Sequence, residues 1–207
     1  MAASGIGKKV HIATSRDIGY ECIDWAKKNI PKGFQIADCK EDCDIFISVL
    51  YDKLITPFFI KGRTCFNFHP AVLPEYRGAG AYSWTLINGD NKCGITLHLI
   101  DEGIDTGDII EIRSFAVDRN VDTAQSLFEK GNKVMFKMFK DWFYLLLNGE
   151  YDAVKQDESK AAIYYRKDLN KIKDLSRYIR GLTFEGKESA YYIDNNGVKK
   201  YINFQND

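Results

Sequence analysis

Apolar residues along the chain fall into short runs, separated by stretches in which they recur at helical spacing. The short runs predict strands over residues 10–14, 34–37, 44–50, 64–68, 94–100 and 109–117. The helical spacing predicts helices over residues 22–30, 54–60, 81–87 and 124–146. Strands that alternate with helices are typical of an α/β fold, with a Rossmann-like, mostly parallel sheet and helices on both faces.

The chain becomes more polar after residue 150. Residues 151–207 are rich in Lys, Asp and Tyr, and one short helix is predicted near residues 173–180. Two β-prone runs then flank Asn196-Gly197, and Asn-Gly between such runs is a strong hairpin signal. We predict a catalytic domain over residues 1–150 and a small C-terminal appendage, a helix plus a β-hairpin, over residues 151–207. The open edge of such a hairpin can pair two subunits, so a homodimer is an expected assembly.

Composition and charge narrow the class of protein. The 207 residues are 45% apolar and 28% charged, as in an ordinary soluble globular protein. Lys and Arg number 29 and so do Asp and Glu, so we expect neither a nucleic acid nor a membrane as partner. Five cysteines without a C-x-x-C pair predict free buried thiols in a reducing compartment. No apolar run reaches the roughly 20 residues of a membrane span, so the predicted location is cytoplasmic.

Polar residues follow two of the predicted strands. Asn67 and His69 lie two positions apart at the end of a strand, so their side chains project from the same face. An acidic segment that contains Asp105 follows the strand over residues 94–100. Ligands of open α/β sheets bind at this edge. Considered alone, His69 could be a structural histidine and the acidic segment a solvated loop. The spacing of the acidic residues in this segment does not match a calcium-binding loop, and no metal site is predicted.

A carboxamide, an imidazole and a carboxylate at one sheet edge suit acyl transfer without a covalent intermediate. The Asn67 side chain can donate a hydrogen bond to a developing oxyanion. A neutral His69 can accept the proton of an attacking amine. Asp105 can orient that imidazole or relay protons through water.

Two motifs resemble those of the folate-dependent formyltransferases. They are Asn-x-His-Pro with a following Leu-Pro, over residues 67–74, and Asp-x-Gly-x-Asp-Thr-Gly, over residues 101–107. The family includes glycinamide ribonucleotide, methionyl-tRNA and sugar N-formyltransferases. The resemblance implies an N-formyltransferase that uses 10-formyltetrahydrofolate, with Asn67, His69 and Asp105 as the catalytic set. It is firm over residues 48–110 and looser to residue 148.

The resemblance also implies a place for the folate. The pterin pocket of the family lies beneath two loops, which correspond here to residues 51–55 and 101–104. The implied folate contacts are Tyr51, Asp52, Lys53, Ile55, Leu73, Asp101, Glu102 and Ile104. The alternative is that the apolar residues of this set pack in the core.

Within the family, the chain most resembles the short nucleotide-sugar N-formyltransferases. The turn over residues 15–19 lacks the glycine-rich loop that holds the ribonucleotide phosphate in the purine enzyme. Residues 151–207 are too few for the C-terminal barrel of the methionyl-tRNA enzyme. The implied acceptor is a nucleotide-linked amino sugar, with a dTDP-4-amino-4,6-dideoxyhexose of O-antigen biosynthesis as the leading candidate. Arg77, Trp84 and Tyr165 are the expected substrate contacts.

Two other functions remain open from the sequence. One is phosphoribosylglycinamide formyltransferase of purine synthesis. The other is a non-catalytic protein that binds folate or a nucleotide sugar. The intact set of Asn67, His69 and Asp105 disfavours the non-catalytic alternative, because drift would tend to lose one of its members.

Overall fold

The computed structural model describes residues 7–171, 175–193 and 197–202. Its main sheet has six strands, in the order β2-β1-β3-β4-β6-β7. They are β1 (Lys8–Thr14), β2 (Phe34–Ile36), β3 (Ile45–Val49), β4 (Thr64–His69), β6 (Lys92–Leu99) and β7 (Ile109–Ala116). The first four run parallel, whereas β6 is antiparallel to β4 and β7 is antiparallel to β6. The prediction of a mostly parallel α/β sheet is therefore confirmed.

Helices cover both faces of the sheet. On one face, α1 (Asp17–Asn29) and α4 (Ala124–Asn148) pack on alternate strand residues such as Ile47 and Phe66. On the other face, α2 (Pro57–Ile60) packs on Phe46 through Phe59. The apolar face of α4 is core, since Met135, Met138, Phe139 and Phe143 are fully buried. Burial of each such side chain stabilises the fold by roughly 1.5–3 kcal/mol.

The short helix α2 begins later than the sequence pattern predicts. Thr56 is its N-cap and accepts a hydrogen bond from the Phe59 N–H at 3.3 Å, and Pro57 occupies the first helical turn. A capping threonine followed by proline is a favoured helix start. The predicted helical residues before Thr56 are therefore part of a loop that follows β3, and this loop borders the site described below.

The C-terminal segment, which corresponds to the predicted appendage of residues 151–207, packs against the rest of the chain at two places. Its short strand β8 (Ile163–Tyr164) pairs in parallel with β5 (Arg77–Gly78). Its helix α5 (Leu175–Leu182) packs on α3 (Ala81–Asn88), where Tyr178 and Leu182 cluster with Ile87. The strands β9 (Tyr191–Ile193) and β10 (Lys199–Tyr201) pair antiparallel, as in the predicted hairpin. The predicted turn residues 194–196 and helix residues 173–174 lie outside the described residues.

The cysteines are unpaired and most of them are buried. All five cysteines are free, and four are buried, but Cys39 is exposed, contrary to the expectation of buried thiols. Burial raises the pKa of Cys22 and of Cys65 to about 12, so both remain protonated thiols at neutral pH. Among the described residues, no helix combines the length and the apolar composition needed to cross a membrane.

Candidate active site

The polar residues of the sheet edge come together where β4 meets β6. Asn67 and His69 lie on β4, and the register places Asn67 opposite His98 of β6. The loop between β6 and β7 then places Asp105 against all three side chains. His69 and His98 are buried, with 4% and 2% of their surface exposed. The candidate site therefore contains a second imidazole, which the sequence motifs do not indicate.

The hydrogen bonds of His69 decide which of its nitrogens can act as a base. Its Nε2 atom lies 2.7 Å from the carbonyl oxygen of Tyr76. A carbonyl can only accept, so Nε2 carries the proton and Nδ1 has the free electron pair. Nδ1 faces the Asp105 Oδ1 atom at 3.5 Å. Burial lowers the pKa of His69 below its ordinary 6.5, although Asp105 opposes this shift. The imidazole is thus neutral at neutral pH.

The orientation of Asn67 is set by two acceptors. The Nδ1 atom of His98 lies 2.6 Å from the Leu99 carbonyl oxygen and donates to it, and Nε2 accepts, because the Asn67 amide nitrogen beside it can only donate. The Asn67 Nδ2 atom donates to this Nε2 at 3.1 Å and to Asp105 Oδ1 at 3.3 Å. One amide N–H of Asn67 therefore points to His98 and the other to Asp105, and the amide oxygen points away from both.

Asp105 is held as a carboxylate in an uncommon backbone conformation. Its φ angle of 53° lies in the left-handed region, and its Oδ2 atom accepts the Gly78 N–H at 2.9 Å. Burial alone raises the pKa of Asp105, but His69, His98 and the Gly78 N–H outweigh burial and hold the pKa well below its ordinary 3.8. The group can orient its neighbours and stabilise positive charge, and it stays ionised at neutral pH.

Two cavities meet at these residues. The smaller one, of about 150 Å³, lies between the loops after β3 and β6 and includes His98, Leu54 and Ile104 in its lining. The larger one, of about 330 Å³, is bordered by His69, by the start of α3 and by the C-terminal segment. Asn67 and Asp105 line both cavities, whereas His69 lines only the larger and His98 only the smaller. A group bound in one cavity can therefore reach a group bound in the other across Asn67.

The residues expected to bind folate are divided among several places. Five of them line the smaller cavity, namely Tyr51, Lys53, Ile55, Asp101 and Ile104. Asp52 instead borders the larger cavity, where its Oδ1 atom accepts a hydrogen bond from Ser15 at 2.6 Å. Leu73 is buried in the core and lines neither cavity, and Glu102 is exposed on the loop beside the smaller one.

The residues expected to contact the acceptor substrate line neither cavity. The buried Arg77 guanidinium donates to Gln156 and Glu158. The Trp84 ring packs on Tyr164 at a centroid distance of 4.9 Å, and the exposed Tyr165 ring contacts Lys167. The larger cavity is lined instead by Arg16 and Arg166, together with an apolar wall of Ala124, Phe128 and Phe184. No cluster of His, Cys, Asp and Glu among the described residues could hold a metal ion.

Comparison with known proteins assigns this chain to a family. A family model described as formyl transferase matches residues 26–141, more than half of the 207 residues. A methionyl-tRNA formyltransferase from Lachnospira eligens is 31% identical over 168 residues, which cover 76% of this chain and 53% of the relative. The matched part spans between 30% and 53% of the length of such curated relatives.

Solved structures share the fold. A 4-N formyltransferase from Francisella tularensis superposes with a TM-score of 0.81 at 20% identity, covering 96% of this chain and 97% of that one. An N-formyltransferase from Helicobacter canadensis, solved with folinic acid and dTDP-3-aminofucose, gives a TM-score of 0.74 at 22% identity. That match covers 87% of this chain and 82% of the other.

Proposed function

Because this chain belongs to the formyl transferase family, we propose that it transfers a formyl group from 10-formyltetrahydrofolate to the amino group of a nucleotide-linked amino sugar. The observation that carries the proposal is the meeting of two cavities at Asn67 and Asp105, with His69 on the larger side only. Two substrates that react directly must be held with their reacting atoms together at one set of catalytic groups, and two adjoining cavities provide a place for each. The smaller cavity would take the donor and the larger cavity the acceptor.

The lining of the smaller cavity fits a folate. The side chains of Leu54 and Ile104 are 81% and 44% exposed at its rim, so their apolar surfaces are available to a flat heteroaromatic ring. Asp101 and Lys53 offer polar groups to the edge of such a ring and to its carboxylate tail. When bound there, 10-formyltetrahydrofolate supplies the formyl group.

His69 would act as the base for the acceptor amine. Its Nδ1 atom is unprotonated at neutral pH, and the ring borders the larger cavity from which the amine would approach. The imidazolium that forms on proton uptake would lie 3.5 Å from the ionised Asp105, which stabilises it. Because Asp105 keeps its negative charge, the proton stays on His69 until it is released to the departing nitrogen or to water.

Asn67 would stabilise the negative charge that develops on the formyl oxygen. One of its amide N–H bonds already points to Asp105, which lies at the junction of the two cavities, and the other points to His98. The bond to Asp105, at 3.3 Å, is the longer of the two and is the one that a substrate oxygen can replace. The bond to His98 at 3.1 Å keeps the carboxamide in place meanwhile. Such preorganisation lowers the barrier because the donor needs no reorientation during the reaction.

The choice of an amino sugar rests on the chemistry of the larger cavity. It combines two arginines with an apolar wall, which suits a deoxygenated sugar joined to a phosphorylated nucleotide. The fold is shared with a protein crystallised with dTDP-3-aminofucose, which supports the same substrate class here. We propose a dTDP-4-amino-4,6-dideoxyhexose as the first acceptor to test. We also propose that the protein is a cytoplasmic homodimer and that it acts in O-antigen biosynthesis. Its catalytic domain would end at residue 150, where the C-terminal appendage begins.

A second acceptor is favoured by one specific observation. The curated relatives with 31% to 38% identity are methionyl-tRNA formyltransferases. Methionyl-tRNA also presents an amine, so the same catalytic groups could serve it. The formal net charge of zero offers little attraction to a polyanionic tRNA, which places this candidate second.

The test is a comparison of acceptors with one formyl donor. The purified protein is incubated with 10-formyltetrahydrofolate and, separately, with dTDP-linked and UDP-linked amino sugars, glycinamide ribonucleotide and methionyl-tRNA. Mass spectrometry of the products is expected to detect formylation of an amino sugar and of neither other acceptor. Formylation of glycinamide ribonucleotide or of methionyl-tRNA alone would overturn the substrate assignment. Failure with every acceptor would overturn the formyl-transfer proposal.

A further inference from the structure

Two arginine side chains line the larger cavity from distant parts of the chain. Arg16 lies in the turn between β1 and α1, and Arg166 follows β8 in the C-terminal segment. Both border the same cavity as His69. His69 and the two arginines therefore line one continuous cavity.

The guanidinium groups of these two arginines differ from others in the chain. Arg63 donates to backbone carbonyls, and Arg77 and Arg113 pair with carboxylates. Within residues 7–171, 175–193 and 197–202, neither Arg16 nor Arg166 donates a hydrogen bond or forms an ion pair through its guanidinium group. Their donors are therefore available to a ligand.

The charges of the two arginines also act on each other. Partial burial lowers the pKa of Arg166, and the neighbouring Arg16 lowers it further. Asp52 lies close enough to Arg16 to be stabilised by it, but its carboxylate is bonded to Ser15. Two neighbouring cations without a bonded anion repel each other, and a bound anion would relieve this repulsion. The pair is thus suited to an anion with more than one charge.

We propose that Arg16 and Arg166 bind the diphosphate of the nucleotide-linked acceptor, and this inference rests on the proposed function. In such a substrate the diphosphate is attached to the sugar ring that carries the reacting amine. It must therefore lie in the same cavity as the amine, about one sugar ring away from His69. Two guanidinium forks match two phosphate groups, because each fork can donate two parallel hydrogen bonds. The wall formed by Phe128 and Phe184 is then left for the apolar parts of the ligand.

The C-terminal segment would take part in binding the acceptor. Arg166 and Phe184 both come from residues 151–207, and both line the acceptor cavity. Arg16 comes from the first βα turn of the sheet. The ligand would therefore bridge the sheet and the C-terminal segment.

The first experiment measures binding without any reaction. Calorimetric titrations with dTDP, dTMP and thymidine would compare the unaltered protein with Arg16→Ala, Arg166→Ala and Arg119→Ala. Arg119 is exposed and borders neither cavity, so its variant controls for the loss of one positive charge. We expect dTDP to bind about 10- to 100-fold more weakly to each cavity variant, the usual range for loss of a charge-assisted hydrogen-bond donor. The control should bind dTDP normally.

The outcomes of the titrations distinguish a diphosphate site from a single-phosphate site and from a general effect of positive charge. Arg16→Lys should lose only part of the affinity, because it keeps the charge and loses the planar fork. Equal binding of dTMP and dTDP to the unaltered protein would contradict a two-arginine site. So would unchanged dTDP affinity in both alanine variants, an equal loss in the Arg119 control, or no binding of dTDP to the unaltered protein.

A kinetic experiment locates the effect in substrate binding. With a nucleotide-linked amino sugar, the KM of Arg16→Ala and Arg166→Ala should rise about 10- to 100-fold with little change in kcat. With the corresponding amino sugar lacking nucleotide and phosphate, the variants and the unaltered protein should react at equal rates. Equal losses with both acceptors would show a structural effect and overturn the inference. If no amino sugar reacts but the titrations behave as expected, the diphosphate site stands and the proposed acceptor falls.

Discussion

The Nε2 atom of His69 lies 2.7 Å from the carbonyl oxygen of Tyr76. This contact assigns the proton of the neutral ring to Nε2, since the carbonyl cannot donate. The reactive nitrogen is then Nδ1, which lies beside Asp105 at the junction of the two cavities. The backbone of the segment after β4 thus determines which nitrogen can accept a proton.

Replacement of His69 by alanine should slow turnover severely. Loss of a general base typically costs about 10²–10⁴ in rate. The variant should also be less stable, by about 1–3 kcal/mol, because the buried Tyr76 carbonyl loses its donor. His11→Ala is a matched control, since the His11 Nδ1 atom lies 2.9 Å from the Ala37 carbonyl and the ring lines neither cavity. Thermal unfolding and steady-state rates measure both effects, and comparable turnover in the two variants would refute the assignment of His69.

The pH dependence of kcat/KM should reflect the neutral form of His69. The rate should rise with pH through a limb whose midpoint lies below 6.5, because burial lowers the pKa of this histidine. In Asp105→Asn the limb should move to still lower pH, since loss of the negative charge destabilises the imidazolium. Asparagine tolerates the left-handed conformation at φ 53°, so the backbone should be preserved. A limb that stays in place would show that the Asp105 charge does not act on the base.

Substitutions of Asn67 and His98 should differ in severity. Asn67→Ala removes the proposed oxyanion donor and should lower kcat by about 10²–10³. His98→Leu removes one acceptor that orients Asn67, and loss of one hydrogen bond worth about 1 kcal/mol predicts a fall of about fivefold. Steady-state kinetics with both substrates saturating provides the comparison. An equal or larger effect of His98→Leu would mean that His98 takes a direct part in the reaction.

Gly78 should tolerate no side chain. Its φ angle is 91°, and a Cβ atom there would lie 2.4 Å from the Tyr164 carbonyl oxygen of β8. Gly78→Ala should therefore separate β5 from β8 and displace the N–H that holds Asp105. We expect a loss of more than about 1 kcal/mol in the free energy of unfolding, together with reduced turnover. Gly62→Ala is a suitable control, because its φ is also positive but its Cβ would enter open space.

The sequence predicts the strand-end position of Asn67 and His69 because β4 is a short apolar run with a polar end. It does not predict His98, whose contact with Asn67 depends on β6 lying antiparallel beside β4. Local patterns specify strands but not the order in which they pair.

The sequence does not predict which residues line the larger cavity, for a related reason. The position of Arg77 after the Asn-x-His-Pro motif suggests a contact with phosphate, but long-range contacts with Gln156 and Glu158 engage its guanidinium. Arg16 and Arg166 approach one cavity from opposite ends of the sequence, and no motif connects them. Residue spacing reports neighbours on one element, whereas a cavity is formed where several elements pack together.

The most direct test of the central claim is a competition among acceptors in one reaction. The protein would receive a limiting amount of 10-formyltetrahydrofolate with a ¹³C-labelled formyl group, and equal concentrations of a dTDP-linked 4-amino sugar, glycinamide ribonucleotide and methionyl-tRNA. Mass spectrometry then follows the label, and the His69→Ala variant provides the blank. We expect nearly all of the transferred label to appear as a formamide on the amino sugar, and at least about 100-fold slower transfer by the variant. Label recovered mainly on glycinamide ribonucleotide or methionyl-tRNA, or transferred equally well by the variant, would contradict it.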